Sequence, residues 1–146
     1  MSENKINLRR VGIFTQQSEQ KIYDFLQQWF IPHGIEMSWL EEGFKSKDAL
    51  DLVISFGGDG TVLAALSLFP QCPVLAVNFG NVGFLTAGDR EELADILKSV
   101  LDGNFIISER SVLKCEHAHG VDYAVNEIVI RGATRLISIE LSINDQ

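Results

Sequence analysis

The chain has 146 residues, 46% of them apolar and 22% charged, which suits one soluble globular domain or one domain with part of a second. At this length a compact fold buries roughly 70% of its unfolded surface without disulfide or metal staples. The net charge of −8 argues against a nucleic-acid binder, which needs a basic face for phosphate, and no run of about 18 apolar residues offers a membrane span. No signal-peptide pattern opens the chain, so a cytoplasmic location is the default expectation. The two cysteines, Cys72 and Cys115, match no metal-ligand spacing and read as buried free thiols.

In chain order, Arg10–Thr15 is a short apolar run and reads as a strand. Ser18 is placed to cap a helix in which Ile22, Phe25, Leu26, Trp29 and Phe30 form one apolar stripe of period 3.6. Pro32 and Gly34 end it. Ile35–Leu40 alternates weakly, as a second strand, and a polar loop that includes Glu41 and Glu42 follows. Leu52–Phe56 is continuous, β-branched and bounded by glycine; a strand without alternation implies burial on both faces, as in a parallel sheet. Thr61 opens a helix that Pro70 stops, and Pro73–Phe79 is a further buried strand. Asp89 is placed to cap a helix with an acidic start and Gly103 at its finish. Residues 1–104 thus repeat strand and helix, the pattern of an α/β, Rossmann-like parallel sheet. Residues 105–146 change texture and read as strands, the start of an all-β domain. The last of them alternates cleanly, with Ile137, Ile139, Leu141 and Ile143 on one face.

Chemistry concentrates in G-G-D-G-T, residues 57–61, at the end of a buried strand and the start of a helix. Ligands of open parallel sheets bind at such ends. Gly57, Gly58 and Gly60 let backbone N–H groups approach phosphate oxygens, and the helix N-terminus favours an anion. Asp59 does not suit an anion. It could bind a metal that bridges phosphates, accept a proton from an attacking hydroxyl, or hydrogen-bond its own turn. The stretch is neither a Walker A loop nor a G-x-G-x-x-G fingerprint. A second glycine turn, N-F-G-N-V-G-F-L-T at Asn78–Thr86, also follows a buried strand, so one crevice serves both. Phe84 in that turn could pack on a base or plug the core. His117 and His119 have no third ligand nearby in sequence and read as a surface loop.

These residues resemble a family. F-G-G-D-G-T is similar to the signature shared by NAD kinases, diacylglycerol and sphingosine kinases and 6-phosphofructokinases. V-N-F-G-N-V-G-F-L-T resembles the NAD kinase turn, with Val82 where that family usually has Leu, and A-V-N-E-I-V-I at Ala124–Ile130 resembles its Asn-Glu motif. The resemblance implies transfer of the γ-phosphoryl group of ATP, or of polyphosphate, to the 2′-hydroxyl of the adenosine ribose of NAD, with Mg²⁺. It makes Asp59 the general base and Gly57, Gly58, Gly60 and Thr61 the phosphate side. Asn78, Gly83, Phe84, Asn126 and Glu127 would then serve nucleotide binding, Phe84 near the adenine and Asn126 and Glu127 at the ribose and adenine. It also implies a homo-oligomer at full length, with NAD and ATP as partners and neither nucleic acid nor membrane. The family's later G-D-G and T-P-T-G-S-T-A-Y-type segments have no counterpart here, so the resemblance is to an N-terminal portion. A nucleotide-binding module without catalysis and a lipid kinase of the same superfamily stand as alternatives.

Overall fold

The structure, a computed structural model, describes residues 6–15, 20–40, 49–78 and 85–144. The chain divides into two compact units, Met1–Arg110 and Ser111–Gln146.

In the first unit, β1 (Arg10–Thr15), β2 (Glu36–Leu40), β3 (Leu52–Phe56), β4 (Val74–Asn78) and the two-residue β5 (Gly88–Asp89) form one sheet. Its order is β2-β1-β3-β4-β5 and every neighbouring pair is parallel. Parallel neighbours need crossovers, and the helices α1 (Gln20–Phe30), α2 (Asp59–Leu68) and α3 (Leu93–Leu101) lie between strands in sequence. Ile22, Leu26 and Phe30 of α1 and Leu93 and Leu97 of α3 share a core with Val11, Ile13, Ile54 and Phe56. Ala65 of α2 packs instead with Phe14 and Val53, whose side chains lie on the opposite pleat. Helices therefore cover both faces, and all five residues of β3 are buried.

The stripe read on α1 is the one buried, with Phe25 and Trp29 packed at its margin. The helix stops at Phe30, and the chain enters a 3₁₀ turn (Ile31–His33) that holds Pro32. Gly34 closes it at φ 68°, donating its N–H to the Ile31 carbonyl. Leu26 is fully buried at the centre of this face. Leu26→Ala should destabilise the chain by about 2–5 kcal/mol through lost transfer energy and a residual cavity, read as a lower midpoint in urea.

Asp51 fixes how β3 enters the sheet: its Oδ2 accepts the Arg9 and Arg10 N–H groups at 2.7 and 2.8 Å. Asp89 does cap a turn, but the helix begins later than it. The Asp89 Oδ1 accepts the Glu91 and Glu92 N–H groups, and Glu92 Oε2 accepts the Asp89 N–H at 3.2 Å. This reciprocal box precedes α3, whose first residue is Leu93. The expected cap at Ser18 and the loop at Glu41 and Glu42 lie outside the described residues.

Both cysteines are free, but half-buried rather than buried. Desolvation, and then the charge of Asp51, pushes the Cys72 thiol up to about 11 from its ordinary 9.0. Its share of stability is therefore present below pH 9 and is lost as the pH rises through 11. At pH 8 the thiolate population of Cys72 is therefore well below that of an ordinary cysteine. Iodoacetamide should label Cys115 first and reach Cys72 at full rate only after denaturation.

In the second unit, β6 (Leu113–His117) and β7 (Gly120–Ala124) form an antiparallel hairpin. The His119 N–H donates to His117 Nδ1, so Nε2 carries the proton and donates to Asp122 Oδ2 at 3.0 Å. Strands were expected more widely here. Residues 106–112 and 126–130 are not strand, and neither is Leu136–Ile143. The alternation at Ile137, Ile139, Leu141 and Ile143 marks which residues would share a face, but a strand exists only when paired. Leu141 is 77% exposed and Leu136 fully so.

Candidate functional site

Strand order decides where a ligand can sit. The chain passes from β1 to β2 on one side and then crosses to β3 on the other. In an open parallel sheet this reversal leaves a crevice beyond the carboxyl ends of β1 and β3. The G-G-D-G-T stretch lies at the end of β3.

The helix starts two residues before the expected Thr61. Asp59 is the first residue of α2 and Gly58 its N-cap, with no side-chain cap bond. D-G-T is therefore the first helical turn itself, where N–H groups point outward and a partial positive charge gathers. The Gly58 carbonyl accepts the Thr61 and Val62 N–H groups at 3.0 and 3.2 Å.

The three glycines have different physical reasons. Gly57 sits at φ 155°, and a Cβ there would come within 2.8 Å of Thr61 Cβ. Its own fold requires glycine. Gly58 (φ −88°, ψ −172°) is in a conformation open to any residue. Among the described residues a Cβ on Gly58 or Gly60 would meet nothing within 4 Å, and both glycines are exposed. Gly60, inside a helix, costs up to about 1 kcal/mol relative to Ala. Among the described residues no packing offers a return for that cost. What the two missing side chains leave is open space over a helix N-terminus, the shape that lets phosphate oxygens reach backbone N–H groups. Thr61 is buried and packs against Gly57, so it wedges the turn from beneath.

β3 and β4 are neighbours, and the ladder continues one residue past β3 as Gly57 N–H donates to the Val77 carbonyl at 3.1 Å. Both glycine turns thus leave adjacent strand ends. Asn78 ends β4, buried and paired in register with Asp89. Gly83 and Phe84 lie outside the described residues. Leu85, which the sequence did not single out, donates its N–H to Asp59 Oδ1 at 3.1 Å. No sequence signal could mark it, because the donor is main chain. Asn126 and Glu127 belong to the second unit, exposed in the segment just after β7.

Among the described residues no group of three His, Cys, Asp or Glu is arranged to hold a metal ion. Also among the described residues, no helix is long and apolar enough to cross a membrane.

Comparison with known proteins points the same way. The family model described as the ATP-NAD kinase N-terminal domain matches residues 9–105. The NAD kinase of Methanothermobacter thermautotrophicus is 36% identical over 109 residues, covering 72% of this chain and 38% of that protein. The NAD kinase of Thermomicrobium roseum is 29% identical over 146 residues, covering 94% of this chain and 51% of that protein. The chain spans about half the length, or less, of these curated relatives. A solved structure of an NAD kinase from Archaeoglobus fulgidus in complex with ATP matches with a TM-score of 0.59 at 20% identity. It covers 77% of this chain and 45% of that one, a likeness of fold.

Proposed function

The chain belongs to the NAD kinase family, and from that premise we propose that it supplies the phosphoryl-donor side of an enzyme that converts NAD to NADP. One observation carries this reading. Two exposed glycines that the fold does not need flank a carboxylate in the first turn of α2, at the point where strand order reverses. Glycine without a conformational reason supports close approach by a ligand, and a helix N-terminus selects an anionic one.

In the proposed reaction the ribose 2′-oxygen attacks the γ-phosphorus of ATP. The new O–P bond forms as the bond to the bridging β–γ oxygen breaks, and ADP leaves. The hydroxyl proton passes to the Asp59 carboxylate. The N–H groups around Gly58 and Gly60 face the phosphates. Mg²⁺, when bound with the nucleotide, would neutralise phosphate charge. Phosphoryl transfer asks mainly for positioning and charge compensation, so a turn of N–H donors and one base form a sufficient donor side.

Residues 1–104 serve as the nucleotide unit in this proposal, and residues 105–146 begin the NAD-binding one through Asn126 and Glu127. Asn can donate to and accept from sugar hydroxyls, and Glu can accept from them. Asn78, Gly83 and Phe84 of the first unit are assigned to nucleotide binding. The exposed apolar residues of the second unit, Val121, Tyr123, Ile139 and Leu141 among them, support a larger assembly, since an isolated hairpin is only marginally stable in water. We include a homo-oligomer at full length in the proposal.

The test is product formation. The protein is given Mg·ATP with NAD or with diacylglycerol, and NADP is read with an NADP-specific dehydrogenase. NADP is expected and phosphorylated lipid is not. Lipid turnover without NADP would overturn the proposal; the relatives reported above are NAD kinases and do not favour that outcome.

A further inference from the structure

The hydrogen bond between Asp59 and Leu85 joins two turns that are 26 residues apart. The β3–β4 ladder ends at Gly57 and Val77, so beyond it the sheet no longer holds the two turns together. β4 ends at Asn78, and the next described contacts with the sheet are the Ala87 N–H on the Ala76 carbonyl at 2.7 Å and the pairing of Gly88 with Val77. Leu85 lies just before them in the chain. Its N–H meets a side chain rooted in the first turn of α2, and the acceptor is a carboxylate, the stronger kind of partner for an amide.

We propose that Asp59 is also a positioning residue. Through the Leu85 amide it holds the segment that leads from Leu85 into β5 at a fixed spacing from the first turn of α2. The carboxylate that faces the acceptor hydroxyl in the proposed reaction thereby also ties the start of α2 to the approach to β5. This deepens the functional reading above and rests on it for what occupies the pocket, but the tie itself does not depend on any ligand. It also explains why the position suits a short side chain with a fixed acceptor. Asn retains an oxygen at the same reach, Glu moves it by a methylene, and Ala removes it.

The experiment is amide hydrogen exchange, read by NMR on this chain. In the wild type and in Asp59→Asn the Leu85 amide should exchange slowly; in Asp59→Ala it should exchange about tenfold faster or more, as a broken local bond allows. Asp59→Glu serves as a second variant if Asp59→Ala does not fold, with faster exchange expected there too. Equal protection of Leu85 in the wild type and in the acceptor-deleting variant overturns the proposal. Mg·ATP is then added. Shifts at residues 57–61 together with Leu85 in the wild type, reduced to 57–61 alone in Asp59→Ala, support a shared framework. Shifts at 57–61 that leave Leu85 unmoved in the wild type count against it. If Mg·ATP moves neither, the donor-site reading fails, while the exchange comparison still decides the tie.

Discussion

Asp59→Asn should lower NADP formation by about 10²–10⁴-fold, the range for removing a general base, while Mg·ATP binds as in the wild type. The substitution is nearly isosteric and keeps an oxygen for the Leu85 amide, so the turn geometry should survive. What it removes is the capacity to take up a proton. Initial rates and calorimetric titration separate the possibilities that the motif left open. A full rate in the variant would eliminate the base. A fall in rate matched by an equal loss of Mg·ATP affinity would move the carboxylate from the acceptor hydroxyl to the donor's metal. A fall in rate alone supports the assignment made here.

The second large effect is a contrast between two glycines three residues apart. Gly57→Ala should destabilise the chain by about 2–5 kcal/mol. A non-glycine residue at φ 155° is strained by about 1–3 kcal/mol, and forcing a Cβ against a buried Thr61 adds overpacking of similar size. Gly60→Ala should do the opposite. Its site is helical and open, so stability should hold or rise by up to about 1 kcal/mol. Yet the new methyl group occupies the space proposed for phosphate, and Mg·ATP affinity should fall at least tenfold, about 1.4 kcal/mol. Urea denaturation and nucleotide titration on both variants check the pair. Normal nucleotide binding by a stabilised Gly60→Ala protein would mean that the open space belongs to something else.

Much of the architecture was legible because the relevant forces act locally. The i, i+3, i+4 spacing of Ile22, Leu26 and Phe30 states which helix face is buried. The unbroken run Leu52–Phe56 states that both faces of that strand are covered. The position of G-G-D-G-T at a strand end, opening a helix, follows from the same local patterns, whereas Asp89 caps the turn before α3 and Glu92 stands at the N-cap of the helix itself. The helix start at Asp59 rather than Thr61 was less legible, since glycine is a poor helix former and the start depends on burial of Thr61, Val62 and Ala65, which is a tertiary effect.

Other features depend on partners remote in sequence, and only the tertiary structure decided them. Strand order is one: nothing in a strand's own residues says that β1 lies between β2 and β3. Pairing is another, and it explains Leu136–Ile143. Period-2 alternation supplies a face, but the ladder that makes a strand comes from a neighbour, and the described chain offers that segment none. The division of labour among the glycines is a third. All three read alike in sequence, yet one is required by φ and by Thr61 while two leave open space. The Asp59–Leu85 bond is the last. A backbone amide has no signature in a one-dimensional code, so the residue that steadies the central carboxylate became visible only once β3 and β4 lay side by side.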